Sequence, residues 1–199
     1  MKRLVLLALA PCVLAGCQTG EPQTGEPVQS APPPAAAAQP ASSGPPLAAE
    51  LIRLTWRKAE NREVCAPIAF TDSGGAGFAA RPAEFSGGWA VAFDLPGRRS
   101  AFGVAGTGLL EADRGDPVAQ EQQLKRQWPH FRRLPALPQP AFAGYGLEGA
   151  TDYAPAAPDG VGESSLAYVR VGGQACLYNV WSKLGRAHLE RLLDSLRML

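Results

Sequence analysis

The chain has 199 residues, of which 46% are hydrophobic and 19% are charged, and its formal net charge is +1. An apolar fraction of this size is ordinary for a globular protein. Near-neutrality argues against a dedicated nucleic-acid binder, whose domain is usually strongly basic, so we expect no nucleic-acid partner.

The first sixteen residues have the pattern of an export signal. Lys2 and Arg3 form a short positive region, and the apolar run after them is too short to span a bilayer as a mature helix. The run ends in Leu14-Ala15-Gly16-Cys17, which resembles the lipobox of bacterial lipoprotein signal peptides. The resemblance implies that residues 1–16 are removed and that Cys17 is acylated on its thiol and its new amino terminus. The alternative is an ordinary secretory signal or an uncleaved anchor, with Cys17 there by chance.

The resemblance also predicts where the protein is held. Two or more acyl chains anchor a protein stably to a bilayer, whereas one chain gives marginal, reversible binding. Gln18 follows the cysteine, and in diderm lipoproteins an aspartate at that position tends to retain the protein in the inner membrane. We therefore expect a cell-envelope protein whose membrane partner is reached through its N-terminal lipid. In a diderm host it would lie in the outer membrane and face the periplasm.

Residues 17–47 are predicted to form a disordered tether. They contain Pro32-Pro33-Pro34 and an alanine run, and they have almost no large apolar side chains. Such a segment cannot bury enough surface to offset the entropy of ordering, and frequent proline favours extended polyproline II. A proline-rich ligand for an aromatic groove is the alternative to a spacer.

Residues 48–199 are predicted to form a single α+β domain. Leucines at helical spacing predict a first helix over residues 48–60, and residues 65–70 follow as a short strand. Period-two alternation over residues 89–95, with a turn at Pro96-Gly97, predicts a hairpin whose return strand covers residues 100–105.

A second hairpin is predicted from residues 166–171 and 174–181, joined at Gly172-Gly173. That two-residue turn places Ala167 opposite Tyr178. Both faces of the hairpin are apolar over much of their length, which predicts that the sheet is covered on at least part of both sides.

Two further helices are predicted beside these strands. Asp116-Pro117 supplies an N-cap and an N1 proline for a helix that ends just before Pro129. A leucine stripe predicts a terminal helix from near Ser182 to the end of the chain. Residues 134–165 are mostly Pro/Gly loop, interrupted by a strand at residues 141–147. The predicted fold is a mainly antiparallel sheet with the C-terminal helix packed on one face.

Cys65 and Cys176 are the two cysteines of the domain. An exported protein folds in an oxidising compartment, where paired cysteines usually form disulfides. A bridge that closes a loop of about 100 residues stabilises a fold by up to ~4.7 kcal/mol in the chain-entropy model. We therefore predict a Cys65–Cys176 disulfide, with two buried free thiols or a nucleophilic cysteine as the alternatives.

The strongest local charge feature is a candidate anion-binding patch, called here the basic patch and formed by Lys125, Arg126, Arg132 and Arg133. Envelope anions that match such a patch are phospholipid or lipopolysaccharide phosphates and cell-wall carboxylates. A solvated helix end, where cations favour the helix dipole, is the alternative.

The two histidines complete the candidates for chemistry. His130 follows Pro129 within the basic segment, and His188 lies at the edge of the terminal leucine stripe, where a structural role is expected. The sequence has no HExxH pair, no GKS or GKT phosphate loop, no GxSxG elbow and no SxxK pair. No catalytic residue, metal or cofactor is therefore predicted.

These features predict a non-enzymatic envelope lipoprotein, an accessory or binding module that contacts an envelope protein or the cell wall. One alternative is a periplasmic hydrolase with its site in the 134–165 loops and His130 or His188 as its base. The other is a structural tether between membrane and cell wall that uses the basic patch.

Overall fold

The structure, a computed structural model, describes residues 44–85, 87–107 and 116–199. The predicted signal peptide, and the predicted tether as far as residue 43, lie outside the described residues. Within the described ranges no helix is both long enough and apolar enough to cross a membrane.

The described residues form three helices and nine strands. The helices are α1 (Ala49–Arg57), α2 (Pro117–Gln127) and α3 (Arg186–Asp194). The strands, in chain order, are β1 (Ile68–Phe70), β2 (Ala79–Ala83), β3 (Trp89–Leu95), β4 (Arg98–Gly106), β5 (His130–Arg133), β6 (Phe142–Leu147), β7 (Ser165–Arg170), β8 (Tyr178–Ser182) and β9 (Leu196–Met198). The domain is therefore rich in sheet and has three helices.

Seven strands form one antiparallel sheet in the order β2-β3-β4-β8-β7-β6-β5. Strands β1 and β9 form a separate antiparallel pair. The prediction of a mainly antiparallel fold with a C-terminal helix is confirmed.

The core lies against one face of the large sheet, called here the inner face. Inner-face side chains of the sheet pack in one cluster with α1, α3 and the β1–β9 pair. At its centre the rings of Phe93 and Phe102 stack 4.7 Å apart, and Phe70 of β1 lies 5.8 Å from Phe93. Fully burying each such side chain contributes about 1.5–3 kcal/mol, so this layer supplies much of the free energy of folding.

The opposite face, called here the outer face, is covered by α2 over β5 and β6. Leu124, Trp128 and Phe142 form a second, smaller cluster there. The Trp128 ring lies directly on Gly144, where an added Cβ would come within 2.7 Å of it. The sheet therefore has apolar cover on at least part of both faces, as the two apolar faces of the second hairpin predicted.

A disulfide joins Cys65 to Cys176, which confirms the prediction. The two cysteines are fully buried and their Cα atoms are 5.4 Å apart. The bridge links the segment before β1 to the connection between β7 and β8, 111 residues further along the chain. It therefore fastens the inner layer to the middle of the large sheet.

The predicted register of the second hairpin is wrong by two residues. Ala167 pairs with Val180, and Val169 pairs with Tyr178. The register shifts because the connection between β7 and β8 is hydrogen-bonded to a distant segment of the chain. The Gln174 Oε1 accepts a hydrogen bond from the Ala66 amide at 2.7 Å, beside the disulfide. A shift of two residues keeps every side chain on its predicted face, so the pattern of apolar faces survives the error.

The predicted terminal helix is too long at both ends. Helix α3 begins after Gly185, whose φ of 98° lies in the left-handed region, and Ser182 belongs to β8. The chain turns at Ser195 and continues as β9, where Leu196 pairs with Phe70. The leucine spacing fits both a helix and a strand that bury Leu196, so it did not distinguish the two. The strand forms because the backbone of β1 needs a hydrogen-bonding partner, which β9 supplies.

The other predicted elements form near the expected residues, although α1 ends at Arg57 and β1 begins at Ile68, so both are shorter than the predicted 48–60 and 65–70. In α2 the Asp116 carboxylate accepts a hydrogen bond from the Ala119 amide at 3.1 Å, and the helix ends at Gln127. The β3–β4 hairpin turns at Pro96-Gly97, and the strand predicted in the 134–165 region is β6.

Candidate functional site

His188 is a buried part of the inner layer. Its Nε2 donates to the Ser73 carbonyl at 3.0 Å, because a carbonyl oxygen can only accept. Its Nδ1 lies 2.9 Å from the Ser182 Oγ, and that oxygen accepts from the Leu184 amide at 3.0 Å. Burial lowers the pKa of His188 below its ordinary value. With both ring nitrogens engaged and 4% of the residue exposed, the ring fixes the 72–76 loop to α3.

His130 begins the edge strand β5 and contacts the loop after β6. Its Nε2 lies 2.9 Å from the Asp152 Oδ1, and its ring is stacked with that of Tyr145 at 5.3 Å. A hydrogen bond from the Tyr153 amide and then the one from His130 lower the pKa of Asp152. The structure thus brings together a histidine and a carboxylate from the predicted loop region, as an acid–base pair requires.

This His–Asp pair has no nucleophilic side chain hydrogen-bonded to it among the described residues. In the described part of the chain no serine, threonine or cysteine side chain hydrogen-bonds to His130. Ser165, the serine of β7 in that region, is fully buried. The described residues therefore do not assemble the geometry of a catalytic triad there.

The Tyr145 hydroxyl links this pair to α3. It donates to the Glu190 Oε1 at 2.7 Å, and Arg186 donates to the same oxygen at 2.9 Å. Burial and the Glu190 charge raise the pKa of Tyr145 to about 12. Burial alone would raise the pKa of Glu190, but the hydrogen bonds from Arg186 and Tyr145 bring it below its usual value. This network holds α3 against β6 and has a stabilising role.

The four residues of the basic patch do not share one surface. Lys125 and Arg133 both pair with Glu121, at 2.7 and 2.9 Å. Arg132 faces the other side of β5 and pairs with Asp194 of α3 at 3.0 Å. Arg126 is exposed on α2. Because Arg132 and Arg133 point to opposite faces of the strand, the sequence cluster is divided in space.

Among the described residues there is no group of three or more histidine, cysteine, aspartate or glutamate side chains that could hold a metal ion.

A groove of about 620 Å³ opens on the outer face of the sheet beside α2, and we call it the α2 groove. Helix α2 forms one wall, the loop at residues 148–150 forms the other, and β7 forms the floor together with Leu177, just before β8. Its volume is in the range of small-molecule sites. It is therefore a stronger candidate for a binding site than the His–Asp pair.

The floor of the α2 groove is apolar and aromatic. Leu166, Tyr168 and Leu177 of the β7–β8 region are partly exposed there, beside Leu124 and Trp128 of α2. The rings of Trp128 and Tyr168 are 5.3 Å apart and inclined at 42°.

Amide side chains form much of the rim of the α2 groove. Gln123 and Gln127 are exposed on α2, and their side-chain amides have no hydrogen-bond partner among the described residues. Glu148 stands on the opposite wall. Each glutamine offers one acceptor and two donors to a molecule in the groove.

One end of the α2 groove is closed by a buried hydrogen bond. Arg170, 8% exposed, donates through Nε to the Gln120 Oε1 at 3.0 Å and through Nη1 to the Cys176 carbonyl at 3.0 Å. Together with the ion pair between Arg133 and Glu121, this bond fixes α2 over the sheet. The α2 wall of the groove is therefore held in place by contacts within the domain.

The α2 groove was not predicted from the sequence. Its lining comes from α2, the 148–150 loop and the β7–β8 hairpin, which are far apart along the chain. The sequence did show that the second face of the hairpin is apolar, with Leu166, Tyr168 and Leu177. That pattern predicted that other residues cover this face, but it did not predict that the covering helix leaves a groove.

Comparison with known proteins supplies no relative: no family model, curated protein or solved structure matches the chain. Function must therefore be argued from the residues themselves.

Proposed function

We propose that this chain is a lipid-anchored cell-envelope protein whose domain is a non-enzymatic binding or accessory module. The observation that carries the proposal is Leu14-Ala15-Gly16-Cys17 at the end of a short basic and apolar leader. In this proposal residues 1–16 are a cleaved signal peptide and Cys17 carries the lipid. Residues 17–47 are the tether, and in a diderm host the anchor lies in the outer membrane.

The disulfide supports an exported protein. Cytosolic proteins rarely keep a structural disulfide, because cellular thiols reduce it. A buried Cys65–Cys176 bridge at the centre of the fold is therefore expected in a protein that carries an export signal.

The α2 groove supports a binding role for the domain. It is a concave surface whose rim carries two glutamine amides, those of Gln123 and Gln127, without a hydrogen-bond partner among the described residues, whereas His188 and Arg132 are both engaged in contacts within the domain. We place the binding function there.

Cell fractionation of two cysteine variants tests the anchor. In the native host, the wild-type protein is expected in the membrane fraction, and Cys17→Ser is expected to lose this attachment because no thiol remains to be acylated. Cys12→Ser is the matched control, since Cys12 lies inside the segment to be removed, and it should fractionate like the wild type. A Cys17→Ser protein that stays membrane-bound and is processed normally would refute lipid anchoring.

The His130–Asp152 contact favours a hydrolase as a second candidate, because it puts a possible base beside a carboxylate in the 134–165 loops. The double variant His130→Gln/Asp152→Asn removes proton exchange at this pair with little change in size. If the domain is a binding module, the variant should restore the function of a deletion strain as well as the wild type does. Loss of function with an unchanged melting temperature would favour the hydrolase instead.

A further inference from the structure

We propose that the α2 groove binds an uncharged saccharide, which deepens the binding function proposed above and rests on it. The charge, the floor and the rim of the groove each favour such a ligand, with Tyr168 and Gln127 as its main contacts.

The charges that line the groove do not select an anionic ligand. Glu148 and Arg170 are its charged lining residues. Arg170 is buried and bonded to Gln120 and to the Cys176 carbonyl, so its guanidinium is committed to the fold. A phosphate or carboxylate ligand would need an accessible cation, which this lining does not present.

The floor fits a flat molecule with an apolar face. Tyr168 is partly exposed at the floor, supported by Trp128 at 5.3 Å, and Leu166 and Leu177 lie beside it. The faces of a pyranose ring carry C–H groups, which pack on an aromatic ring, while its hydroxyls point outward at the edge.

The rim fits those hydroxyls. A sugar hydroxyl both donates and accepts hydrogen bonds, and so does a glutamine amide. Gln123 and Gln127 stand one helical turn apart on the groove side of α2, with amides that are exposed and unpaired among the described residues. An apolar floor bordered by neutral donors and acceptors is complementary to a neutral polyhydroxy ligand.

A peptide bound as an added strand does not fit this place. Strands β7 and β8 lie inside the sheet, and β7 pairs on both sides, with β6 and with β8. No backbone edge at the floor is free to receive a strand, which is what such recognition needs.

Calorimetric titration of the full mature protein in detergent tests the proposal, with cellobiose and N,N′-diacetylchitobiose as probes. We expect saturable binding of at least one disaccharide. Gln127→Ala should raise its Kd about fivefold through the loss of one hydrogen bond, and Tyr168→Ala should abolish binding. Gln122→Ala is the matched control, because Gln122 is exposed on α2 away from the groove, and it should leave Kd unchanged.

Two results would overturn the proposal. One is no saturable heat with either disaccharide, and the other is an equal loss of affinity in Gln127→Ala and Gln122→Ala. Gln127 is exposed, so its variant keeps the test valid even if Tyr168→Ala unfolds the domain. After such a result, Cys17-dependent membrane attachment together with full rescue of a deletion strain by His130→Gln/Asp152→Asn would leave the non-enzymatic envelope module in place and reject the saccharide alone.

Discussion

Gly106 lies in close contact with two buried side chains of the core. A Cβ added there would lie 2.6 Å from the Cys65 Sγ and closer still to the indole of Trp89. Both neighbours are buried and fixed, so neither can move away cheaply. Gly106→Ala is expected to lower the free energy of unfolding by about 1–3 kcal/mol, the range typical of overpacking.

Urea unfolding monitored by tryptophan fluorescence measures this loss. Gly77→Ala is the control, because an added Cβ at Gly77 meets no atom within 4 Å. Equal stabilities for the two variants would show that the packing around Trp89 and the disulfide is looser than described.

His188 makes the stability of the domain depend on pH. Burial lowers its pKa below 6.5, the Arg191 charge adds to this effect, and the Ser73 hydrogen bond and Asp72 oppose it. Below pH 6.5 the unfolded chain therefore binds a proton that the folded chain does not. The stability is complete above pH 6.5, and its loss begins there and continues down to the folded-state pKa.

The pH dependence can be measured by urea unfolding between pH 8 and pH 5, where the carboxylates with pKa values near 4 scarcely titrate. The wild type should lose stability as the pH falls through this window. His188→Gln should lose less over the same window, whatever its stability at pH 8. Parallel curves for the two proteins would contradict the account of His188 as a buried neutral ring.

At the scale of elements, the disulfide determines how the β7–β8 connection runs. Cys176 and Gln174 are bonded to the segment at residues 64–66, so the return strand starts later than a two-residue turn would allow. Replacing both Cys65 and Cys176 by alanine should lower the free energy of unfolding by about 2–5 kcal/mol, mainly through the larger entropy of the unfolded chain.

Denaturant unfolding with and without reductant separates the covalent effect from packing. Reductant should destabilise the wild type towards the double variant and should leave the variant unchanged. A double variant as stable as the oxidised wild type would show that the bridge contributes little to the fold.

Local sequence patterns predicted the elements whose signals are local. Asp116-Pro117 fixes the start of α2, and the alternation at residues 89–95 fixes β3. The wrong predictions lie where a contact with a distant segment of the chain determines the local structure. Leu196 follows a helical spacing but pairs with β1, and the 172–177 connection follows the disulfide partner rather than its hairpin. Local sequence patterns do not reveal such tertiary contacts.

In the proposed function the whole molecule combines a lipid anchor with a separate binding surface, and the sequence predicts only the first of the two. The signal for the anchor is contiguous, in Leu14-Ala15-Gly16-Cys17, so it can be interpreted directly. The α2 groove is assembled from three distant segments, and the basic patch is divided because Arg132 and Arg133 lie on opposite faces of β5. Candidate sites built in space therefore required the structure.

The central claim is that Cys17 carries the lipid, and the mass of the mature N-terminal peptide tests it most directly. Protein purified from the membranes of the native host should begin at Cys17 and carry the mass of a diacylglyceryl group, with a further acyl chain on the amino group. The Cys12→Ser protein should give the same peptide. A mature chain that begins elsewhere, or an unmodified Cys17 thiol in the membrane-bound protein, would contradict the account.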